Sequence, residues 1–427
     1  MTRMVVSAYV AFAAFGSFWG VWGASVPRVQ QQAGIGDGQL GFALLFIGAG
    51  ALPAMLLAGR ALDRWGLTVA AAAIGALGVA GAALAFTAVG LASLCAGLAL
   101  VGATSGAADV AMNAVAGRAE AAAGRPVITR AHGVFSSLVV VASLATGLAS
   151  AAALPLALPF AAVAAVSLLA AGALRKTLPA GAALRETLPA GVAVRETLPA
   201  GGTAERREGD APPAGRWIVP LLLVGVLGAL AFASENAHQS WSAVFAHQVL
   251  HAGTGLSAVA PAVFAGTVAV TRFAVGGLGA ARARTVLLAG ALAAAAGALV
   301  IAAAPTLLIA ALGLAVAAAG TAVLFPTLVG IVSRGVEESH RGRATSIVTT
   351  VSYLGFLAGP VYVGLWSDAV GLRGAMLAVA ALGAGLALLT PPLLRLSGSA
   401  AAHSPADDRR CAVVVQGSDG FGPARER

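Results

Sequence analysis

The sequence predicts an all-α integral membrane protein: twelve transmembrane helices arranged as two six-helix pseudo-repeats. Three observations carry this. First, 59% of the 427 residues are hydrophobic and 10% are charged, whereas a soluble domain has about 25% charged residues. Second, the apolar residues fall in long runs of about 20, the length that crosses a bilayer as a helix. Third, the halves of the chain resemble each other at an offset of 212: Arg60 maps onto Arg272, Gly147 onto Gly359, and Arg130 falls one short of Arg343. Parallel repeats of this kind are a transporter architecture.

Spans are expected at 4–26, 38–58, 67–88, 91–113, 131–152, 156–174, 217–240, 256–276, 285–304, 306–332, 344–366 and 374–396. The first run continues through Phe15, Trp19 and Trp22 to Val26. That is too long for a signal-peptide core, so it reads as an uncleaved span. Asp37 is placed as the N-cap of the second helix. The short Val89-Gly90 link makes its neighbours an antiparallel hairpin.

Four regions follow: an N-terminal six-helix bundle at 1–174, a cytoplasmic linker at 175–216, a C-terminal six-helix bundle at 217–396, and a disordered polar tail at 397–427. The linker carries a tandem repeat of period ten, with units at 174–181, 184–191 and 194–201. A Pro-Ala-Gly in each unit prevents a continuous helix. It reads as a tolerated expansion in a flexible connection, with a partner-binding motif as the other possibility. With the N-terminus inside, 23 of the 26 Lys and Arg residues fall on the cytoplasmic side and two, Arg28 and Arg373, fall outside. Both termini are therefore expected to be cytoplasmic, with the chain in the cell (inner) membrane.

The net charge of +9 does not point to nucleic acid, because the basic residues stand singly between apolar spans. Cys95 and Cys411 give neither a disulfide framework nor a metal spacing. No nucleotide-binding loop occurs, and the six histidines show no catalytic or metal spacing. The expected protein is not an enzyme, holds no metal or cofactor, acts as a monomer in the lipid bilayer, and handles a small-molecule solute together with protons. A sensor or scaffold role is disfavoured, since the tail holds no folded signalling domain.

Several polar residues inside or beside spans could carry mechanism. Asp109 and Asn113 are four apart and share one helix face. A carboxylate in a span must be paired or face water, so Asp109 reads as a partner for loop arginines or as a substrate contact. Thr321 and Phe325 occupy the corresponding positions of the second half, which makes the pair asymmetric. Glu235, Asn236, His238 and Gln239 form the most polar cluster in any span, toward the outer end of the seventh helix. They are either a helix end among headgroups or a cavity group that binds substrate or a proton. Arg272 either snorkels to the surface or meets an anion. His132 caps the fifth helix or serves the site. Trp19 and Trp22 are interface anchors or a stacking wall, and Gly16, Gly20 and Gly23 around them allow close helix approach. Gly355, Gly359, Pro360 and Pro326 read as packing and bend points.

The most informative stretch is Gly59-Arg60-Ala61-Leu62-Asp63-Arg64-Trp65-Gly66, three charges and two glycines between two apolar runs. It reads as a tight turn outside the hydrocarbon. Gly59, Asp63, Arg64 and Gly66 match the signature Gly-x-x-x-Asp-Arg/Lys-x-Gly, and the chain thereby resembles the major facilitator superfamily. Further patches are similar to the MosC-like, rhizopine-type permeases: Pro27-Arg28, Asp37 to Gly41, Asp109 to Asn113, Arg125-Pro126 with His132, and Glu235 with Trp241-Ser242. The resemblance implies the major facilitator fold, secondary transport by alternating access, and a cytoplasmic latch. In that latch Asp63 meets the N-terminus of the eleventh helix near Ala344, and Arg60 or Arg64 pairs with Asp109. The expected function is proton-coupled transport of a small polar solute, the alternative being drug or metabolite efflux within the same superfamily.

Overall fold

The computed structural model describes residues 2–179, 218–275, 282–336 and 338–396. Most of the linker repeat and the whole tail lie outside the described residues. Among the described residues, eleven helices are long and apolar enough to cross a membrane. They are α1 (Thr2–Ala33), α2 (Asp37–Trp65), α3 (Val69–Thr87), α4 (Leu91–Ala123), α5 (Ile128–Ala151), α6 (Ala157–Thr177), α7 (Ile218–Gln248), α8 (Val259–Val275, preceded by the single turn Thr254–Ser257), α9 (Ala283–Ala303), α10 (Leu307–Gly335) and the long element Glu338–Leu396.

That last element is two rods. Gly371 has φ 75° and ψ 167°, outside any helix, and only glycine takes such a backbone readily. The Tyr362 hydroxyl donates to the Ala378 carbonyl at 3.0 Å. In one straight helix these residues would lie roughly 24 Å apart along the axis. The chain therefore folds back at Gly371 into α11 (338–370) and α12 (372–396), which restores the expected twelve spans.

Small residues set the packing. A Cβ on Gly16 or Gly20 of α1 would strike the Phe135 and Val139 carbonyls of α5, and Gly102 and Gly106 of α4 sit equally close to Ile47 and Ala51 of α2. Gly78 of α3 meets Ser167 of α6. The second half repeats this scheme six helices later. Gly355 and Gly359 of α11 lie on Ala229 and Ala233 of α7, Gly383 of α12 lies on Ala291 and Ala295 of α9, and α8 packs on α10. Backbones this close gain dispersion that lipid tails cannot match, so small residues replace hydrophobic burial as the source of cohesion. Large apolar side chains such as Leu56, Leu57, Leu148, Leu169 and Leu388 point outward, where lipid rather than water meets them.

The halves join through α2 with α11 and α5 with α8, two contacts exchanged by the same twofold relation. Gly41 fits against Pro360 and Gly364, and Gly147 against Gly255 and Ala258.

Several helices outrun their expected ends. Hydropathy marks where a chain crosses lipid, whereas a helix stops only where its backbone is broken. The stretch 59–65 is thus not a loop but the last two turns of α2. The turn itself is confined to Gly66 and its successors, with Gly66 at φ 72° donating its N–H to Leu62. Arg64 in the final turn complements the helix dipole. Likewise α4 runs to Ala123, α7 to Gln248 and α1 to Ala33 through Pro27. The N-cap of α2 is Gly36 rather than Asp37, and Gln39 accepts the Gly36 N–H at 3.2 Å.

Candidate functional site

Two ends of the bundle can be told apart. The motif end carries Arg3 and the 59–66 stretch; the far end carries the 34–36 turn and Gly371. At the far end polar side chains join the halves. Ser367 donates to Asp37 Oδ2 at 2.6 Å, and the Gly38 N–H donates to Asp368 Oδ1 at 2.9 Å. Gln248 donates to Gln30 Oε1 at 3.1 Å and to Asp37 Oδ1 at 3.2 Å, while Gln31 meets His247 at 2.6 Å. At the motif end Arg60, Asp63 and Arg64 are exposed, and Gly59 and Gly117 have open space beside them.

Between these ends lies an ion pair. Arg272 Nη2 donates to Glu235 Oε1 at 3.0 Å, linking α8 to α7. Each residue stands 13 positions from the far-end terminus of its helix, about 20 Å at 1.5 Å per residue. The extra length of α7 thus moves Glu235 from its expected outer-end position to mid-depth. The Glu235 side chain is 15% exposed and that of Arg272 48%, so the carboxylate is largely covered while its arginine partner is half open. Arg272 Nε also reaches the Ala322 carbonyl of α10 at 3.4 Å. From the first half, exposed His132 stands within electrostatic range of Arg272, its ring edge-on to Phe12 at 4.9 Å.

Asn236 does not join this pair. It donates to the Phe356 carbonyl at 2.6 Å and accepts from Ser240 at 3.0 Å, tying α7 to α11. His238 and the exposed Gln239 also point elsewhere. Asp109 and Asn113 do come together, with the Asn113 amide donating to the Asp109 side chain at 3.2 Å. The register of α4 against α2 places Asp109 deeper than Arg60, and no ion pair joins them in this structure. Asp109 instead stands within electrostatic range of Tyr353 on α11. Trp19 is half-buried against Phe15 and Phe18, while Trp22 is buried in the core.

An aromatic cluster went unread in the sequence. Phe232 of α7 stacks on Phe325 of α10 at 4.2 Å, and Tyr353 and Phe356 of α11 complete the group. Phe325 was visible as the counterpart of Asn113, but its stacking partner lies 93 positions away. The arrangement as a whole is a mid-depth set of ionisable and aromatic groups, with the two halves hydrogen-bonded to each other at the far end.

Residues 279–414 match the sequence profile of the Major Facilitator Superfamily. The chain is a multi-pass membrane protein by its spanning helices, and its C-terminal part resembles that superfamily. Solved structures with the same fold include a bacterial homologue of the human lysosomal transporter Spinster, in an inward-facing and unoccupied conformation (TM-score 0.71, 15% identity, covering 95% of this chain and 98% of that one). The nucleoside transporter NupG superimposes with TM-score 0.68 at 11% identity, over 92% of this chain and 99% of that one. The xylose transporter XylE from E. coli, in an inward-open conformation, gives TM-score 0.67 at 15% identity, over 91% and 95%. No curated protein sequence matches the chain.

Proposed function

We propose that the chain is a transporter of this superfamily and moves a small polar solute across the cytoplasmic membrane by alternating access, coupled to protons through Glu235. The observation that carries the reading is the Glu235–Arg272 pair at mid-depth, reached by His132 from the opposite half. An intramembrane carboxylate whose partner is a half-exposed arginine can exchange that partner for a proton or for solute. Protonating Glu235 releases Arg272, which then offers a cation and hydrogen-bond donors to a polar solute. Loss of the proton recaptures Arg272 and expels the solute.

The far-end seal and the motif-end opening correspond to one of two access states, and orientation by basic residues makes the motif end cytoplasmic. In the other state Asp63 would meet the N-terminus of α11, and Arg60 or Arg64 would approach Asp109, with Gly59 and Gly66 permitting the close approach. Sugar-like or nucleoside-like solutes are the first to try, because structural neighbours include a nucleoside transporter and a D-xylose-proton symporter. The MosC-like assignment rests on the sequence patches alone. The Phe232–Phe325–Tyr353–Phe356 cluster favours a second reading, efflux of amphipathic drugs or metabolites, whose rings would stack there.

Purified protein in vesicles with an imposed pH gradient tests the reading with labelled D-xylose and uridine, followed by amino acids and a dye panel. Gradient-driven flux in the wild type that becomes gradient-independent in Glu235→Gln supports it. Unchanged coupled flux in that variant removes Glu235 from the mechanism.

A further inference from the structure

Prolines interrupt two helices beside the Glu235–Arg272 pair, Pro326 in α10 and Pro360 in α11. A proline has no amide hydrogen, so the carbonyl four residues before it loses its helical donor. Those carbonyls belong to Ala322 and Phe356. Both are met by polar side chains of the candidate site. Arg272 Nε reaches the Ala322 carbonyl at 3.4 Å, and the Asn236 amide donates to the Phe356 carbonyl at 2.6 Å. Pro27 and Pro53 leave the Gly23 and Ala49 carbonyls open in α1 and α2 in the same way, yet among the described residues no side chain donates to either.

In α11 the break is held twice from α7. Asn236 takes the carbonyl before the proline, and buried Trp241 donates through Nε1 to the carbonyl of Pro360 itself at 3.2 Å. Ser240 donates to Asn236 Oδ1 at 3.0 Å, which turns the amide nitrogen toward α11. Tyr353 and Phe356 of the aromatic cluster lie before Pro360, and the far-end contacts Ser367 and Asp368 lie after it. In α10 a single guanidinium joins the break to Glu235, since Arg272 donates through Nη2 to the carboxylate and through Nε to Ala322. Helices bend where proline has removed a bond, and in lipid the freed carbonyl needs another donor. The donor that fills the gap therefore governs the bend.

We propose that Asn236 and Arg272 are positioning residues that replace the amide hydrogens missing at Pro360 and Pro326, and so set how far α11 and α10 bend. Asn236 is the permanent donor, uncharged and tied to its own helix by Ser240. Arg272 is the exchangeable one. When it turns fully to Glu235 or to a solute, the Ala322 carbonyl is left open and α10 is free to bend. That exchange rests on the transport reading, whereas the replacement of the missing hydrogens needs neither solute nor proton.

Spin labels on the full chain in nanodiscs test it. Exposed positions 350 and 370 bracket Pro360, and exposed positions 316 and 334 bracket Pro326. Double electron–electron resonance reads each bend as the width of a distance distribution. Asn236→Leu, which removes the amide, should widen the 350–370 distribution roughly twofold. In a Pro360→Ala background the restored N–H serves the Phe356 carbonyl, and Asn236→Leu should leave the width unchanged. A width unaffected by Asn236→Leu, or equal widening in both backgrounds, would overturn the proposal. If Asn236→Leu does not fold, the Pro360→Ala double variant should, and failure of both to fold would overturn it as well. In a Glu235→Gln background, which leaves no carboxylate unpaired, Arg272→Met should widen the 316–334 distribution and Pro326→Ala should cancel the effect. No widening there would overturn the part assigned to Arg272. Flux enters none of these measurements, so coupled flux that survives Glu235→Gln would sink the proton reading alone.

Discussion

Ser367 on α11 donates its hydroxyl to Asp37 on α2 at 2.6 Å, and this bond fastens the two halves at the far end. Asp37 also accepts from Gln30 at 2.7 Å and from Gln248 at 3.2 Å, so one carboxylate gathers three helices. Its position in the first turn of α2 adds the favourable end of the helix dipole. A hydrogen bond to a charged group contributes about 1.5–3 kcal/mol. Ser367→Ala should therefore shift the balance of access states away from far-end closure by roughly tenfold. Spin labels at the exposed positions 152 and 370, one in each half, report the opening as a longer distance in double electron–electron resonance. Distances unchanged from the wild type would mean that the bond does not hold the seal.

The Glu235–Arg272 pair predicts an asymmetry among variants. Arg272→Gln leaves the mid-depth carboxylate without its counterion, a loss larger than that of the arginine's own contacts. The Glu235→Gln, Arg272→Gln double variant removes the charge along with its partner. Its melting temperature should lie above that of Arg272→Gln alone, with a coupling of about 1 kcal/mol reduced by the exposure of Arg272. Additive melting shifts would show that the two side chains act independently.

What the sequence revealed and what it hid divide on a physical line. The number of spans, their hairpin order and the twofold relation follow from hydropathy and the 212-residue offset, which are properties of each segment alone. Helix ends were hidden because lipid boundaries do not break helices. The stretch 59–65 therefore read as a turn, and Glu235 read as lying toward the outer end of its helix. Contacts between segments were hidden further. Arg272 was recognised as an odd arginine, but nothing in the sequence said that it meets Glu235. Asp37 was read as a local cap, while its Ser367 partner lies 330 positions away. Asn236 and His238 read as members of one polar cluster because they are neighbours in sequence, yet the helix turns one to the α11 backbone and the other into the bundle.

The aromatic cluster makes a prediction about solute choice. Phe232 and Phe325 lie face to face at 4.2 Å, and Phe325 stands where the first half has Asn113. Phe325→Asn would remove the stacked face and make the second half polar at that position. Aromatic pairs of this kind contribute about 0.5–1.5 kcal/mol beyond burial. Under the polar-solute reading, uptake of D-xylose should change little. Under the efflux reading, export of an aromatic dye should fall by roughly threefold to tenfold. Parallel flux measurements on the one variant separate the two.

Two glycines should respond oppositely to the same change. At Gly355 an added Cβ would run into the Ala229 backbone, so α7 and α11 must separate for it to fit. At Gly59, on the last turns of α2, an added Cβ meets nothing within 4 Å. Overpacking a close helix contact costs about 1–3 kcal/mol, whereas alanine improves an exposed helical position over glycine by up to about 1 kcal/mol. Gly355→Ala should thus lower the melting temperature of the purified protein, and Gly59→Ala should leave it unchanged or raise it. The second variant also probes the latch. If Gly59 must approach α11 when the motif end closes, Gly59→Ala should slow transport while the fold remains intact, because the strain arises only in the state with that end shut. Full transport together with full stability in Gly59→Ala would remove close approach at Gly59 from the cycle and leave Asp63 and Arg64 to close that end alone.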